Sequence, residues 1–380
     1  MPKLLSINSF PDVKPYKSLE NHQLQERIES VRRHLGSELL ILGHHYQQDE
    51  VIEHSDLRGD SYQLSKMAAE SKECRYIVFC GVHFMAETAD ILANRPDCLS
   101  QRNGNRVQVI LPDLSAGCSM ADMAAIDQVE TAWADLGDVI DNSDITPITY
   151  INSAASLKAF CGKHGGAVCT SSNAQAVLDW AFSKTSRVLF FPDQHLGRNT
   201  ALKMGIRENE MPVWNPHDDD LGGNSEESLA NSRVILWQGH CSVHQMFQPE
   251  HVHQFREKIP DVKILVHPEC RREVNDLADI SGSTGKIIDT VKKAAPGTQW
   301  AIGTELHLVN RLQKEHPEQN IQFLSPTLCM CATMYRIDLA HLCWSLENLA
   351  NGNIVNVIRV DDVTSDHSLI ALERMLNLTN

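Results

Sequence analysis

Short apolar runs that stop at polar, chemically capable residues recur along the chain. "ELLILGHHYQ" reads as a strand over 38–42, followed by His44, His45 and Tyr46. "PITYINSAASLKA" reads as a strand ending at Tyr150, Ile151 and Asn152, then a helix, and "VKILVHPEC" as a strand ending at His267, Pro268 and Glu269. Such runs, bounded by turn residues, predict parallel strands buried on both faces. Helical stretches such as "SYQLSKMAAESK" and "SNAQAVLDWAF" alternate with them, which predicts α/β architecture.

The three runs open three similar sections, predicted over 36–118, 146–241 and 262–331, with 332–380 packing against the first. In each, a loop rich in glycine or hydroxyls follows: "GDS" at 59–61, "CTSSN" at 169–173 and "GSTGK" at 282–286. The offsets agree, at 17 from His44 to Ser61, 19 from Asn152 to Ser171 and 16 from His267 to Ser283. A further strand with a polar end comes next ("YIVFCGVHFMAE", "VLFFPDQH", "WAIGTE"), and then a strand that runs into cysteine. Those endings are "VQVILPDLSAGC" at Cys118, "RVILWQGHC" at Cys241 and "IQFLSPTLCMC" at Cys329 and Cys331. After Cys118 a small-residue helix is predicted over 119–125. Ligands gather beyond the carboxyl ends of parallel strands, so three such sections facing one another would share a central cleft.

Composition narrows the function. The net charge of −15 disfavours nucleic acid and anionic membrane as partners, since both need a basic footprint. The N-terminus lacks an apolar core and cleavage site for secretion, and no apolar run approaches the ~20 residues of a membrane helix, so a cytoplasmic protein is expected. In that reducing compartment the 11 cysteines do not suggest a disulfide framework, and the absence of a Cys-x-x-Cys pair disfavours a zinc ribbon. Residues 125–146 read as an acidic helical insertion and 207–232 as a long polar loop. The first 20 residues and those after Asn351 read as peripheral.

Three cysteines at equivalent strand ends could hold a 4Fe–4S cluster; three thiolates would leave one iron open as a Lewis acid. Cys74, Cys80, Cys98, Cys161, Cys169, Cys270 and Cys343 read as buried thiols. His44, Tyr46, His267 and Glu269 are candidates for proton transfer and orientation. "GSTGKII" fails as a phosphate-binding Walker loop, because Ile280 and Ile287 stand where glycine and a hydroxyl are needed. What remains at Ser283, as at Ser61 and Ser171, is a hydroxyl at a helix start, suited to phosphate or carboxylate and equally to helix capping.

Taken together, "GHHYQ", "GDSYQLS", "PDLSAGCSMAD", "YINSAASLKA", "CTSSNA", "FPDQHLGRNTA", "WQGHCSVH", "VHPEC", "GSTGKI", "GTELHLVNRL" and "CATMYRI" resemble the quinolinate synthase family of bacterial NAD biosynthesis, in family order over about 38–345. The resemblance implies three similar three-layer α/β domains with parallel sheets around a central 4Fe–4S cluster. It implies a transferase that condenses iminoaspartate with dihydroxyacetone phosphate to quinolinate, releasing phosphate and two waters. Its cluster ligands map to Cys118, Cys241 and Cys331, the last preferred over Cys329 because Cys331 and Met334 match a Cys-x-x-Met pattern. Its substrate residues map to His44, Tyr46, Ser61, Tyr150, Asn152, Ser171, His267, Glu269, Ser283 and Thr284, with His244 also matching. Tyr46 and Glu269 would move protons, assisted by His267, while Tyr150, Asn152 and the hydroxyl loops would hold carboxylate or phosphate. Transfer of iminoaspartate from an L-aspartate oxidase is compatible with this reading. Rivals are a diphthamide-type synthase, which would need a protein substrate, and an iron–sulfur sensor, which would not need the His, Tyr and Glu set.

Overall fold

The computed structural model describes residues 12–70, 74–218, 220–328 and 330–378. Strands β1 (Leu39–His44), β2 (Leu57–Gly59), β3 (Tyr76–Cys80) and β4 (Gln108–Ile110) lie parallel in the order β2-β1-β3-β4. The second sheet repeats that order with β5 (Ile145–Tyr150), β6 (Ala167–Cys169), β7 (Arg187–Phe191) and β9 (Val234–Trp237), and adds β8 (Val213–Trp214) at its edge. The third repeats it with β10 (Lys263–Val266), β11 (Ile280–Ser281), β12 (Gln299–Gly303) and β13 (Asn320–Phe323). Each section thus has a strand the periodicity did not predict, the short β2, β6 and β11. Two or three residues are too few to display a period, but each pairs with the first strand of its section. The strands are apolar on both sides for the expected reason: every residue of β5 and β9 is buried, with helices covering both faces.

Several expectations need correction. The region 207–232 is no plain loop. Met211, Trp214 and Leu229 bury in the second core, β8 pairs with β9, and Glu226–Ala230 is helical. The acidic stretch from 125 does form the expected helix, Ile126–Val139, but it is no mere insertion, since its Val129, Ala132 and Leu136 join the same core. The helix predicted over 119–125 shrinks to a single 3-10 turn, Ala121–Met123.

The C-terminal segment is not peripheral, and it divides between two sections. The helix Leu339–Ala350 lies against Asn21–Leu35, and strand β14 (Val357–Ile358) pairs antiparallel with β4 in the first sheet. The last helix, Asp362–Asn377, instead packs on Ala155–Lys163 of the second section. Its Ser368 donates to the carbonyl of Ala155 at 2.9 Å, and Val360 just before it donates to Asp90 of the first section, also at 2.9 Å. Among the described residues no helix is long and apolar enough to cross a membrane.

Gly162 marks the closest approach of the last helix: a Cβ there would overlap the carbonyl oxygen of His367. Backbone cannot rotate away as a side chain can, so Gly162→Ala should destabilise the protein by about 1–3 kcal/mol. A lowered denaturant midpoint would be the readout, and an unchanged midpoint would show that this packing is loose.

Candidate active site

The carboxyl ends of the three sheets surround one cavity. Its lining includes His44, Tyr46 and Ser61 from the first section, Tyr150, Asn152 and Ser171 from the second, and His267, Glu269 and Thr284 from the third. Cys118, Cys241, Cys331 and His244 line it as well. Ser283 stands behind the wall, its Oγ accepting the Lys286 N–H at 3.4 Å as a helix cap, while the next residue, Thr284, faces the cavity. Cys329 lies outside the described residues.

Two loops from different sections have the same local construction. The backbone N–H of Tyr46 donates to His44 Nδ1 at 3.1 Å, and that of Glu269 donates to His267 Nδ1 at 3.3 Å. A ring that accepts at Nδ1 carries its proton on Nε2. Burial pushes both histidines down to about 3, so at neutral pH they are uncharged donors.

A continuous hydrogen-bonded chain crosses the cavity wall. Tyr150 O–H donates to Glu269 Oε1 at 2.6 Å, and His244 Nδ1 lies 2.8 Å from Glu269 Oε2. His244 Nε2 lies 3.2 Å from Thr304 Oγ1, which is 3.0 Å from the Tyr46 hydroxyl, itself 2.9 Å from Thr284 Oγ1. The imidazoles of His244 and His267 stack with centroids 4.6 Å apart. Burial alone would raise the Glu269 carboxyl. The charges of His267 and His244, with the hydrogen bonds from His244 and Tyr150, outweigh it and hold the group below the ordinary carboxylate range. Burial, reinforced by Glu269, keeps Tyr46 and Tyr150 protonated.

Of the described cysteines, Cys118, Cys241 and Cys331 are half-buried and the other seven are buried. Each of the three precedes a short helical turn and accepts a backbone N–H from three residues on: Ala121, His244 and Met334. Burial pushes Cys118 up to about 12 and raises Cys241 and Cys331. Within the set, Cys331 adds to the rise at Cys118, and both add to that at Cys241, so the three are close enough to repel as thiolates. Neutral thiols that oppose one another's ionisation are a donor set suited to a cationic centre, which reverses that penalty. Cys241, His244 and Glu269 also bring one ligand atom each within 4.8 Å of one another, a second grouping that could hold a metal ion.

Thr304 was not singled out from the sequence, although it follows directly on β12. Glu305 was missed too. It caps the helix Leu306–Glu315 through the N–H groups of His307 and Leu308, and accepts the Cys331 N–H at 3.4 Å. The signal for both was "GTE", a polar strand end noted only as an element boundary.

Three like α/β sections that bring thiols, tyrosines, histidines and a buried carboxylate to one cleft define a multidomain α/β enzyme with a candidate metal centre. Residues 26–377 match the family described as NadA, quinolinate synthetase A protein. A quinolinate synthase of Rhodopirellula baltica is 71% identical over 370 residues, covering 97% of this chain and 94% of that one. Quinolinate synthases of Halalkalibacterium halodurans and Bacillus subtilis are 52% and 50% identical, each over 98% of both chains. The chain belongs to the quinolinate synthetase A family.

The cavity-facing thiols should differ chemically from the rest. In anaerobic, metal-free protein a small alkylating reagent should label Cys118, Cys241 and Cys331 before the seven buried cysteines. Because the thiolate is the reacting form, labelling of Cys118 should rise roughly tenfold per pH unit between pH 7 and 9. Mass spectrometry that found Cys161 or Cys169 labelled first would contradict this placement.

Proposed function

We propose that this chain is a quinolinate synthase, condensing iminoaspartate with dihydroxyacetone phosphate to quinolinate in NAD biosynthesis. Phosphate and two waters leave as the pyridine ring closes. The reading is carried by the chain Tyr150–Glu269–His244–Thr304–Tyr46, drawn from all three sections, beside three converging thiols. Cys118, Cys241 and Cys331 would hold a 4Fe–4S cluster. Their shared geometry favours this over a metal on Cys241, His244 and Glu269, because His244 and Glu269 already satisfy each other at 2.8 Å. Such a cluster, with one iron free of protein thiolate, supplies Lewis acidity toward a substrate oxygen.

The chain's own groups do the rest. An ionised Glu269 is an acceptor for protons removed as the ring forms. With the His244 Nδ1–H on Glu269, its Nε2 can accept from Thr304, whose oxygen in turn accepts from Tyr46. That polarity lets a proton move from Tyr46 toward Glu269 without any residue turning over. His44 and His267 present neutral N–H groups that orient substrate oxygens. The side-chain amide N–H groups of Asn152 and the hydroxyls of Ser61, Ser171 and Thr284, all lining the cavity, are donors that suit carboxylate and phosphate.

Protein purified without oxygen should be brown and carry about four irons. Cys118→Ser, Cys241→Ser and Cys331→Ser should each lose iron and quinolinate formation, whereas Cys329→Ser should keep the cluster. Retention of iron by Cys331→Ser, with loss in Cys329→Ser, would move the third ligand. The assay supplies oxaloacetate, ammonia and dihydroxyacetone phosphate; an iron-loaded protein that made no quinolinate would defeat the proposal.

Glu269→Gln and Tyr46→Phe should assemble the cluster and bind substrate, yet turn over about 10² to 10⁴ times more slowly, the usual contribution of a positioned acid or base. Near-normal turnover in iron-loaded Glu269→Gln would remove Glu269 from the base role.

A further inference from the structure

Three polar side chains reach from one section into the next, and they occupy equivalent places. Glu87, Asn199 and Arg311 sit on the helices His83–Ala93, Gln194–Lys203 and Leu306–Glu315, which follow β3, β7 and β12. They lie 7, 8 and 8 residues beyond those strands. Glu87 Oε2 of the first section accepts the Ala155 N–H of the second at 3.0 Å. Asn199 Nδ2 of the second donates to the carbonyls of Pro268 and Cys270 in the third, both at 2.8 Å. Arg311 of the third donates to the carbonyls of His45 and Gln47 in the first, at 2.8 and 2.6 Å, and to Asp49 Oδ1 at 2.9 Å. The contacts run first to second, second to third and third to first.

The last two contacts share a more specific feature. Carbonyls 45 and 47 flank Tyr46, and carbonyls 268 and 270 flank Glu269. The N–H of each central residue is already held by the histidine two positions before it. Asn199 is 4% exposed and Arg311 8%, so both have given up water for these bonds. An apolar side chain would fill the same space without that desolvation, but it would not fix the carbonyls before and after one residue.

We infer that Asn199 and Arg311 are positioning residues, each gripping the carbonyls of the residues before and after a proton-moving residue of the neighbouring section, with Glu87 closing the ring. The inference rests on the roles proposed above for Glu269 and Tyr46. Misplacing either group by about 1 Å is enough to cost roughly 10²-fold in rate. Neither side chain is among the described residues lining the cavity, so their loss should appear in kcat and leave KM and iron content unchanged.

The test uses anaerobically prepared holoprotein carrying Asn199→Ala or Arg311→Met. Segment-resolved hydrogen exchange should show faster exchange over 267–270 in Asn199→Ala with 44–48 unchanged, and the converse in Arg311→Met. Arg311→Lys, which cannot reach both carbonyls at once, should fall between Arg311→Met and the unaltered protein. Turnover should fall about 10²-fold in each single variant. Asn199→Ala should add little further loss in a Glu269→Gln background, nor Arg311→Met in a Tyr46→Phe background, because each acts through the group already removed. Should Asn199→Ala fail to fold, Asn199→Ser retains a donor too short to bridge both carbonyls. Faster exchange in both loops at once, or losses that multiply in the double variants, would make these residues merely structural and overturn the inference. If the unaltered protein formed no quinolinate, the functional reading would fall, while exchange in the two loops would still decide the clamps.

Discussion

Glu269 is 3% exposed, and an ionised carboxylate at that depth is stable only while donors face its oxygens. Those donors are Tyr150 of the second section and His244 of the short helix Ser242–Gln245 that follows it, whereas Glu269 itself belongs to the third. A separated third section would carry a buried charge without Tyr150. The carboxylate therefore ties docking of the sections to the chemistry of the cleft, and the strand-end loops that carry function also join the protein together.

The cleft also has an unusual charge balance for a site proposed to take phosphate and carboxylate groups. No lysine or arginine is among the described residues of its lining. Neutral donors take that role: histidine N–H groups, tyrosine and threonine hydroxyls, and the starts of the helices Ser61–Glu70 and Thr284–Lys292. Lys158 is fully buried behind the wall, where its ammonium donates to the carbonyl of Ser153, and burial lowers it to about 8. Neutral donors bind anions without forming tight salt bridges, which suits a site proposed to release phosphate. They also leave the thiols as the place where a cationic centre would dominate the local field.

Much of this was legible in the sequence because the chemistry sits at strand ends, and strand ends are where apolar runs stop. His44, Tyr150, His267 and the three cysteines could be found that way. The short β2, β6 and β11 could not, since they acquire identity only by pairing. Nor could the order of the sheets, or the fate of 207–232, whose polar composition hid Met211, Trp214 and Leu229. Thr304 stood in view at a strand end and was passed over because a lone threonine has no chemical signature. Asn199 and Arg311 were invisible for a different reason: their partners are backbone carbonyls in another section, and carbonyls leave no mark on sequence.

The antiparallel pairing of β14 with β4 bears on how the molecule is made. A ribosome releases the first section's other strands early, but their sheet receives its edge only when residues 357–358 emerge, after the second and third sections. Until then β4 presents unpaired backbone to anything extended that passes by. Closing a pair so far apart in sequence is slow, because the chain between must first be ordered. The nascent protein thus passes through a stage in which the third section can already have collapsed while the first remains open-edged and the second still lacks its last helix, and that stage is where chaperones and aggregation compete for it.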